Sequence, residues 1–285
     1  MRTFLGKPPP RINAAAFGVA GPVVDGRCVA TNLPWVIDSR VLARKLGIKR
    51  VTLLNDLVAL SLGALEVPRR KLHVLGGGGP PKKKGANIAV IAAGTGLGEA
   101  MLVWDALGER LVPSATEGGH TDFAPADELE DELLTFMRRR FRHVSWERIV
   151  SGSGLGNLYD FFHVAKSVRE TAANARAIAT SPDRNATIAQ MGQAGTSAPA
   201  VWAIELFARI YGAEAGNLAL KTLAVGGVYV CGNIAAKMLP VLEKGTFRAG
   251  FEDKGRFRTL MEKIPLAVVL DSDVGLAGAR RVAMR

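Results

Sequence analysis

Four short stretches of this 285-residue sequence carry groups able to do chemistry. In the first, Gly94-Thr95-Gly96-Leu97-Gly98 follows the apolar run Asn87-Ile88-Ala89-Val90-Ile91-Ala92-Ala93 and leads straight into Ala100-Met101-Leu102-Val103-Trp104. A Gly-rich turn between two strands lets bare amides and a Thr hydroxyl approach an anion closely. Glycine has no Cβ to hold a phosphate away and tolerates positive φ. Two better-known phosphate motifs are excluded. Glu99 stands at the last Gly position of G-x-G-x-x-G, with a strand following where a helix should, and G-x-x-x-x-G-K-[ST] is absent. An ordinary tight hairpin would have the same residues.

The other three stretches are polar. Asn55-Asp56 sets a carboxylate beside an amide, Glu117-Gly118-Gly119-His120 sets a carboxylate and an imidazole on a flexible turn, and Glu147 adds a further carboxylate. Ionised carboxylates accept strong, directional hydrogen bonds from hydroxyls, so the set suits a polyol such as a sugar. Each residue also has an ordinary use: Asp56 as a helix cap, Glu147 as a partner of a helix dipole, His120 as a satisfied turn residue. Taken with the Gly94 turn, transfer of phosphate from a nucleotide to a sugar hydroxyl is the economical reading. That reaction has a loose transition state, and one carboxylate accepts the hydroxyl proton; Asp56 is the candidate base. His73, His120, His143 and His163 show no paired ligand spacing, so no protein-held metal is expected, and Mg2+ would arrive with the nucleotide.

These groups need elements to position them. Residues 12–20 read as a buried strand, with Asp25-Gly26 as a hairpin turn. Ser39 is the expected cap of a helix ending at Leu46. Val51-Thr52-Leu53-Leu54 reads as a strand whose carboxyl end is Asn55-Asp56, followed by a helix from Leu57. In α/β sheets the crevice at strand carboxyl ends is where ligands usually bind. Residues 76–85 read as a Gly/Pro/Lys surface loop. Helices are expected near 127–140, at 145–150 with Ser145 as cap, and from Ala198 to Leu223. A Gly-bracketed strand spans 226–233, a last strand Leu266–Leu270, and a last helix starts at Val274.

Composition bounds the class. Hydrophobic residues make up 48% and charged residues 22%, values of an ordinary folded globular chain. Cys28 and Cys231 stand far apart without C-x-x-C partners, which fits a reducing cytoplasm and excludes a zinc knuckle or disulfide framework. No run approaches a membrane span, and Lys7-Pro8-Pro9-Pro10 stands where a signal peptide would need apolar residues. The net charge of +11 would suggest nucleic acid, but Lys82-Lys83-Lys84 and Arg138-Arg139-Arg140 lack interleaved aromatics and read as solvated surface. Neither nucleic acid nor membrane is an expected partner, whereas a basic surface favours encounter with a nucleotide.

At these residues the chain strongly resembles the bacterial glucokinase family, ATP-dependent hexokinases of the actin-like ATPase superfamily. The likeness is nearly full length. It runs through Val19-Ala20-Gly21-Pro22-Val23, Thr31-Asn32-Leu33-Pro34-Trp35, Leu54-Asn55-Asp56, Gly94 to Gly98 and Glu117 to His120. It continues through Glu147-Arg148-Ile149-Val150-Ser151-Gly152, Ala215-Gly216-Asn217-Leu218-Ala219-Leu220 and Phe251-Glu252-Asp253-Lys254-Gly255-Arg256-Phe257. The branch without a zinc-binding Cys cluster is the better match. The resemblance implies Asp56 as base for the glucose 6-hydroxyl, and Asn55, Glu117, His120 and Glu147 as sugar ligands. It sets Gly94, Thr95 and Gly96 against nucleotide phosphates and Gly226-Gly227 near the adenosine.

It further implies an α/β, two-lobed actin-like ATPase (ribonuclease H-like) fold: a small lobe of residues 1–66 plus 271–285, a larger lobe of 67–270, and a cleft whose closure excludes water. A homodimer is the expected assembly. Two departures stand out. Gly232-Asn233 replaces the family's usual Gly-Gly. The chain also starts after the family's opening strand and Asp-x-Gly-Gly-Thr phosphate hairpin, so the small lobe is expected to be N-terminally truncated. Either a complete glucokinase begins further upstream, or this form is a catalytically impaired, sugar-binding remnant.

Overall fold

The computed structural model describes residues 11–29, 34–82 and 84–285. Thr31-Asn32-Leu33, Lys83 and the Lys7-Pro8-Pro9-Pro10 segment of the sequence reading lie outside the described residues. The chain forms two compact units, one extending to Val67 and taking in Asp273–Arg285, the other spanning Pro68–Ser272.

In the first unit, β1 (Ala14–Val19) pairs in parallel with β5 (Arg50–Asn55), Val19 lying opposite Asn55. A small antiparallel sheet joins β2 (Val23–Val24), β3 (Arg27–Val29) and β4 (Val36–Asp38). The β2–β3 connection is the expected Asp25-Gly26 turn, and both residues have positive φ, 50° and 73°. That backbone matches the twist of a tight hairpin and suits Asp-Gly. The helix Ser39–Leu46 is capped by Asp38 rather than Ser39: the Asp38 carboxylate accepts from the amides of Arg40 and Val41 at 2.8 and 3.2 Å. The carboxylate one position earlier reaches the free first-turn amides and is the charged acceptor. The helix Asp56–Ala64 follows β5 without a loop and crosses Val274–Ala283 closely. A Cβ at Gly63 would fall 1.7 Å from the Val274 carbonyl, and one at Gly278 1.7 Å from the Ala59 carbonyl, so this crossing requires glycine on both helices.

The second unit is built on a six-stranded mixed sheet. Its strands, in spatial order, are β6 (Leu72–Gly76), β11 (Leu266–Val269), β10 (Gly227–Cys231), β7 (Ile88–Ala93), β8 (Leu97–Asp105) and β9 (Arg110–Thr116). The three central strands β11, β10 and β7 are parallel and almost wholly buried, which is why they read as unbroken apolar runs. β6, β8 and β9 are antiparallel additions. The helix Ala198–Thr222 supplies much of the core through Ala203, Phe207, Ile210, Tyr211, Leu218 and Ala219. Residues 145–150 form no α-helix: a single 3-10 turn, Trp146–Arg148, stands there, and Ser145 makes no capping bond. Trp146, Ile149 and Val150 are all buried, and those side chains, rather than a helical ladder, fix the segment.

Candidate active site

β7 and β8 pair as far as Ala93 and Leu97, leaving Gly94, Thr95 and Gly96 as the hairpin tip. The Gly94 amide donates to the Gly96 carbonyl at 2.8 Å, and the Gly94 carbonyl accepts from the Gly152 amide at 2.9 Å. Thr95 is exposed, and no described residue accepts from the Thr95 or Gly96 amide. A Cβ at Gly94 would meet nothing within 4 Å. Two unspent amides and a hydroxyl on an open tip are the donors an anion needs. The tie to Gly152 sets this tip beside the start of the helix Gly152–Asp160, capped by Ser151, whose hydroxyl accepts from the Gly154 amide at 3.0 Å. The positive end of that helix dipole therefore lies next to the tip. The carboxyl end of β10 reaches the same place: Gly232 has φ of 91°, and a Cβ on it would fall 2.5 Å from the Ala93 carbonyl.

Glu147 reaches the base of the hairpin, where its Oε2 accepts from the Leu97 amide at 3.0 Å. The Trp146 indole beneath is buried and stands edge-on to Phe123, with ring centroids 5.1 Å apart. Two backbone bonds, Trp146 to the Thr121 carbonyl at 3.1 Å and Phe123 to the Val144 carbonyl at 3.0 Å, zip residues 121–123 to 144–146. The 3-10 turn Gly118–His120 is thereby held beside Trp146–Arg148. It packs directly on β8: a Cβ at Gly119 would fall 2.1 Å from the Leu97 carbonyl, so no larger residue fits. Glu117 and His120 are exposed and Glu147 is half-buried. The Gly94–Gly96 tip, Glu117, His120 and Glu147 thus gather around Leu97 at one end of the sheet.

Gly226 and Gly227 are not brought there. They stand at the start of β10, where the Gly226 amide donates to the Asn87 carbonyl at 2.9 Å and Gly227 lies against Pro81. The hairpin tip faces the other end of that strand, roughly 16 Å away at about 3.3 Å per residue. Of the two glycine positions flanking β10, Gly232 is the one beside the hairpin.

In the first unit, β5 ends at Asn55, which is the N-cap of the next helix. Its Oδ1 accepts from the amides of Leu57 and Val58 at 3.0 and 3.2 Å, and its Nδ2 donates to the Gly21 carbonyl at 3.2 Å. With Asn55 in the capping role, the Asp56 Oδ1 accepts from the Leu57 amide at 2.9 Å. Burial pushes the Asp56 carboxyl above the ordinary aspartate range, and the Leu57 amide pulls against it.

The fold is the mixed α/β one of sugar kinases of the actin-like ATPase class. The glucokinase family model matches residues 2–285. A glucokinase of Synechocystis sp. (strain ATCC 27184 / PCC 6803 / Kazusa) is 42% identical over 283 residues, covering 95% of this chain and 79% of the relative. The crystal structure of a glucokinase from an Antarctic psychrotroph is similar at a TM-score of 0.80 and 27% identity, over 94% of this chain and 79% of that one. A glucokinase of the ROK family from Streptomyces griseus, solved with glucose and AMPPNP, shares the fold at a TM-score of 0.62 and 22% identity, over 94% of this chain and 80% of that one. The chain belongs to the glucokinase family.

Two carboxylates escaped the sequence reading as functional groups. Glu99 registered only as a broken Gly motif and Glu214 not at all, yet both are buried. The available signal was a charged residue at an inward position of an apolar strand, and another inside an apolar helix face.

Proposed function

We propose that the chain transfers the γ-phosphoryl group of ATP to the 6-hydroxyl of glucose, giving glucose 6-phosphate and ADP. Asp56 accepts the hydroxyl proton as the O–P bond forms, while Asn55, Glu117, His120 and Glu147 hold the sugar hydroxyls. Thr95 and the amides of the Gly94–Gly96 tip bind phosphate oxygens, and Gly232 takes the place earlier given to Gly226 and Gly227 beside the nucleotide. Mg2+, an oxygen-seeking cation, enters on the nucleotide phosphates and neutralises charge there.

The observation that carries this reading is the gathering of an open amide-rich tip and three sugar-type ligands around Leu97, in a chain of the glucokinase family. Asp56 suits a base because its neighbour Asn55 does the capping, and among the described residues no side chain is bonded to its carboxylate. The two buried, unpaired cysteines support a reducing cytoplasm. Among the described residues no helix is long and apolar enough to cross a membrane. A homodimer is part of the reading. The test is ADP release by the 285-residue chain with and without glucose: strictly glucose-dependent release is expected, and release indifferent to glucose would refute the assignment.

A further inference from the structure

Directly beneath the Glu117–His120 turn lies a carboxyl group that takes no part in the reaction. Glu99 is 2% exposed, and its Oε2 would stand 1.9 Å from a Cβ on Gly118. The same residue holds the turn through its backbone: the Thr116 hydroxyl donates to the Glu99 carbonyl at 3.3 Å, and the Gly118 amide donates to that hydroxyl oxygen at 3.1 Å. Glu99 Oε1 is fully buried, and among the described residues no donor reaches it. The group it faces is Glu214 on the helix Ala198–Thr222, itself 0% exposed. Glu214 is supplied with donors, Asn217 Nδ2 at 2.8 Å and Lys221 Nζ at 3.4 Å. A buried oxygen with no donor is destabilising, and two facing buried carboxylates are more so. One proton between them removes both penalties.

We infer that Glu99 is protonated and donates from Oε1 to the Glu214 carboxylate, and that this singly charged pair is the platform that positions the sugar-binding turn Glu117–His120. The proposal rests on reading that turn as a sugar-binding element, and Glu99 is a positioning residue rather than a catalytic one. Burial first, then the Glu214 charge, push the Glu99 carboxyl up to about 8. Around the pair, Lys221 offsets the negative charge, Lys254 faces Glu214, and the Tyr211 phenol stays neutral because burial pushes it far up. Glu117 and His120 belong to the turn that packs on Glu99 through Gly118, and both are exposed.

Three measurements on the full 285-residue chain test this. The infrared spectrum at neutral pH should contain a protonated-carboxyl stretch that shifts in deuterated water and is absent in Glu99→Gln. In calorimetry, Glu99→Gln, which keeps a neutral donor, should bind glucose like the parent. Glu99→Ala should bind it roughly tenfold more weakly, the scale of one lost buried hydrogen bond, with nucleotide affinity unchanged in both. Glucose affinity of the parent should fall as the pH rises past about 8, and that fall should vanish in Glu99→Gln. Absence of the infrared band, or equal weakening by Gln and Ala, overturns the proposal. Should Glu99→Ala fail to fold, the band and the pH profile of the Gln variant still decide it. Unchanged glucose affinity in Glu117→Ala would instead sink the sugar-binding turn, leaving the infrared result standing.

Discussion

As the proposed base, Asp56 can take a proton only while it is ionised, so the environment that raises its pKa would also set the pH at which the reaction starts. Burial raises it, so kcat/KM for glucose should fall on acidification at a higher pH than an ordinary aspartate would give. The sign is fixed: activity is present above the folded pKa and lost as the pH drops through it. A pH–rate profile checks this, and an acid limb at or below the ordinary aspartate value would contradict it. Glu147 carries a different load. Its carboxylate closes the hairpin at the Leu97 amide, so Glu147→Gln keeps an acceptor there, whereas Glu147→Ala leaves that amide without one. We expect Glu147→Gln to weaken glucose binding with little change in Tm. Glu147→Ala should also lower stability by about 1–3 kcal/mol, measured by urea unfolding.

At the scale of elements, the hairpin tip and the Gly118–His120 turn are both glycine-rich for opposite reasons. Gly94 has open space around it, so Gly94→Ala should fold normally and lose nucleotide affinity, because the added methyl stands where a phosphate would approach. Gly119 is pressed on the Leu97 carbonyl, so Gly119→Ala should force the turn off β8, lowering stability by about 1–3 kcal/mol and weakening glucose binding. Thermal unfolding with separate glucose and nucleotide titrations distinguishes the two; equal behaviour of both variants would contradict this account. Much of this arrangement was legible in the sequence. The β7–β8 hairpin, the Asp25-Gly26 turn and the strand-to-helix junction at Asn55 follow from apolar runs interrupted by turn residues. One miss is local, Asp38 outcompeting Ser39 as a cap; the others depend on tertiary contact, buried Trp146 replacing an expected helix by a 3-10 turn and strand direction putting Gly232 rather than Gly226 beside the hairpin. Local residue type cannot report which end of a strand a distant hairpin meets.

At the scale of the molecule, the two units differ in how deeply their sheets are buried. The β7, β10 and β11 strands of the second are shielded almost throughout, whereas β1 to β4 of the first are largely half-buried or exposed, with Val24, Val29 and Val36 more than half exposed. Amide exchange should therefore be slowest in β7 and β10 and markedly faster in β1 to β4; uniform protection across both would refute this. The +11 charge belongs to this scale too, and added salt should slow nucleotide association without altering the reaction step. The most direct test of the whole account is Asp56→Asn, with glucose binding measured by calorimetry and glucose 6-phosphate formation measured in parallel. The account predicts near-normal glucose affinity with turnover reduced about 10²- to 10⁴-fold. Undiminished turnover in that variant would contradict it.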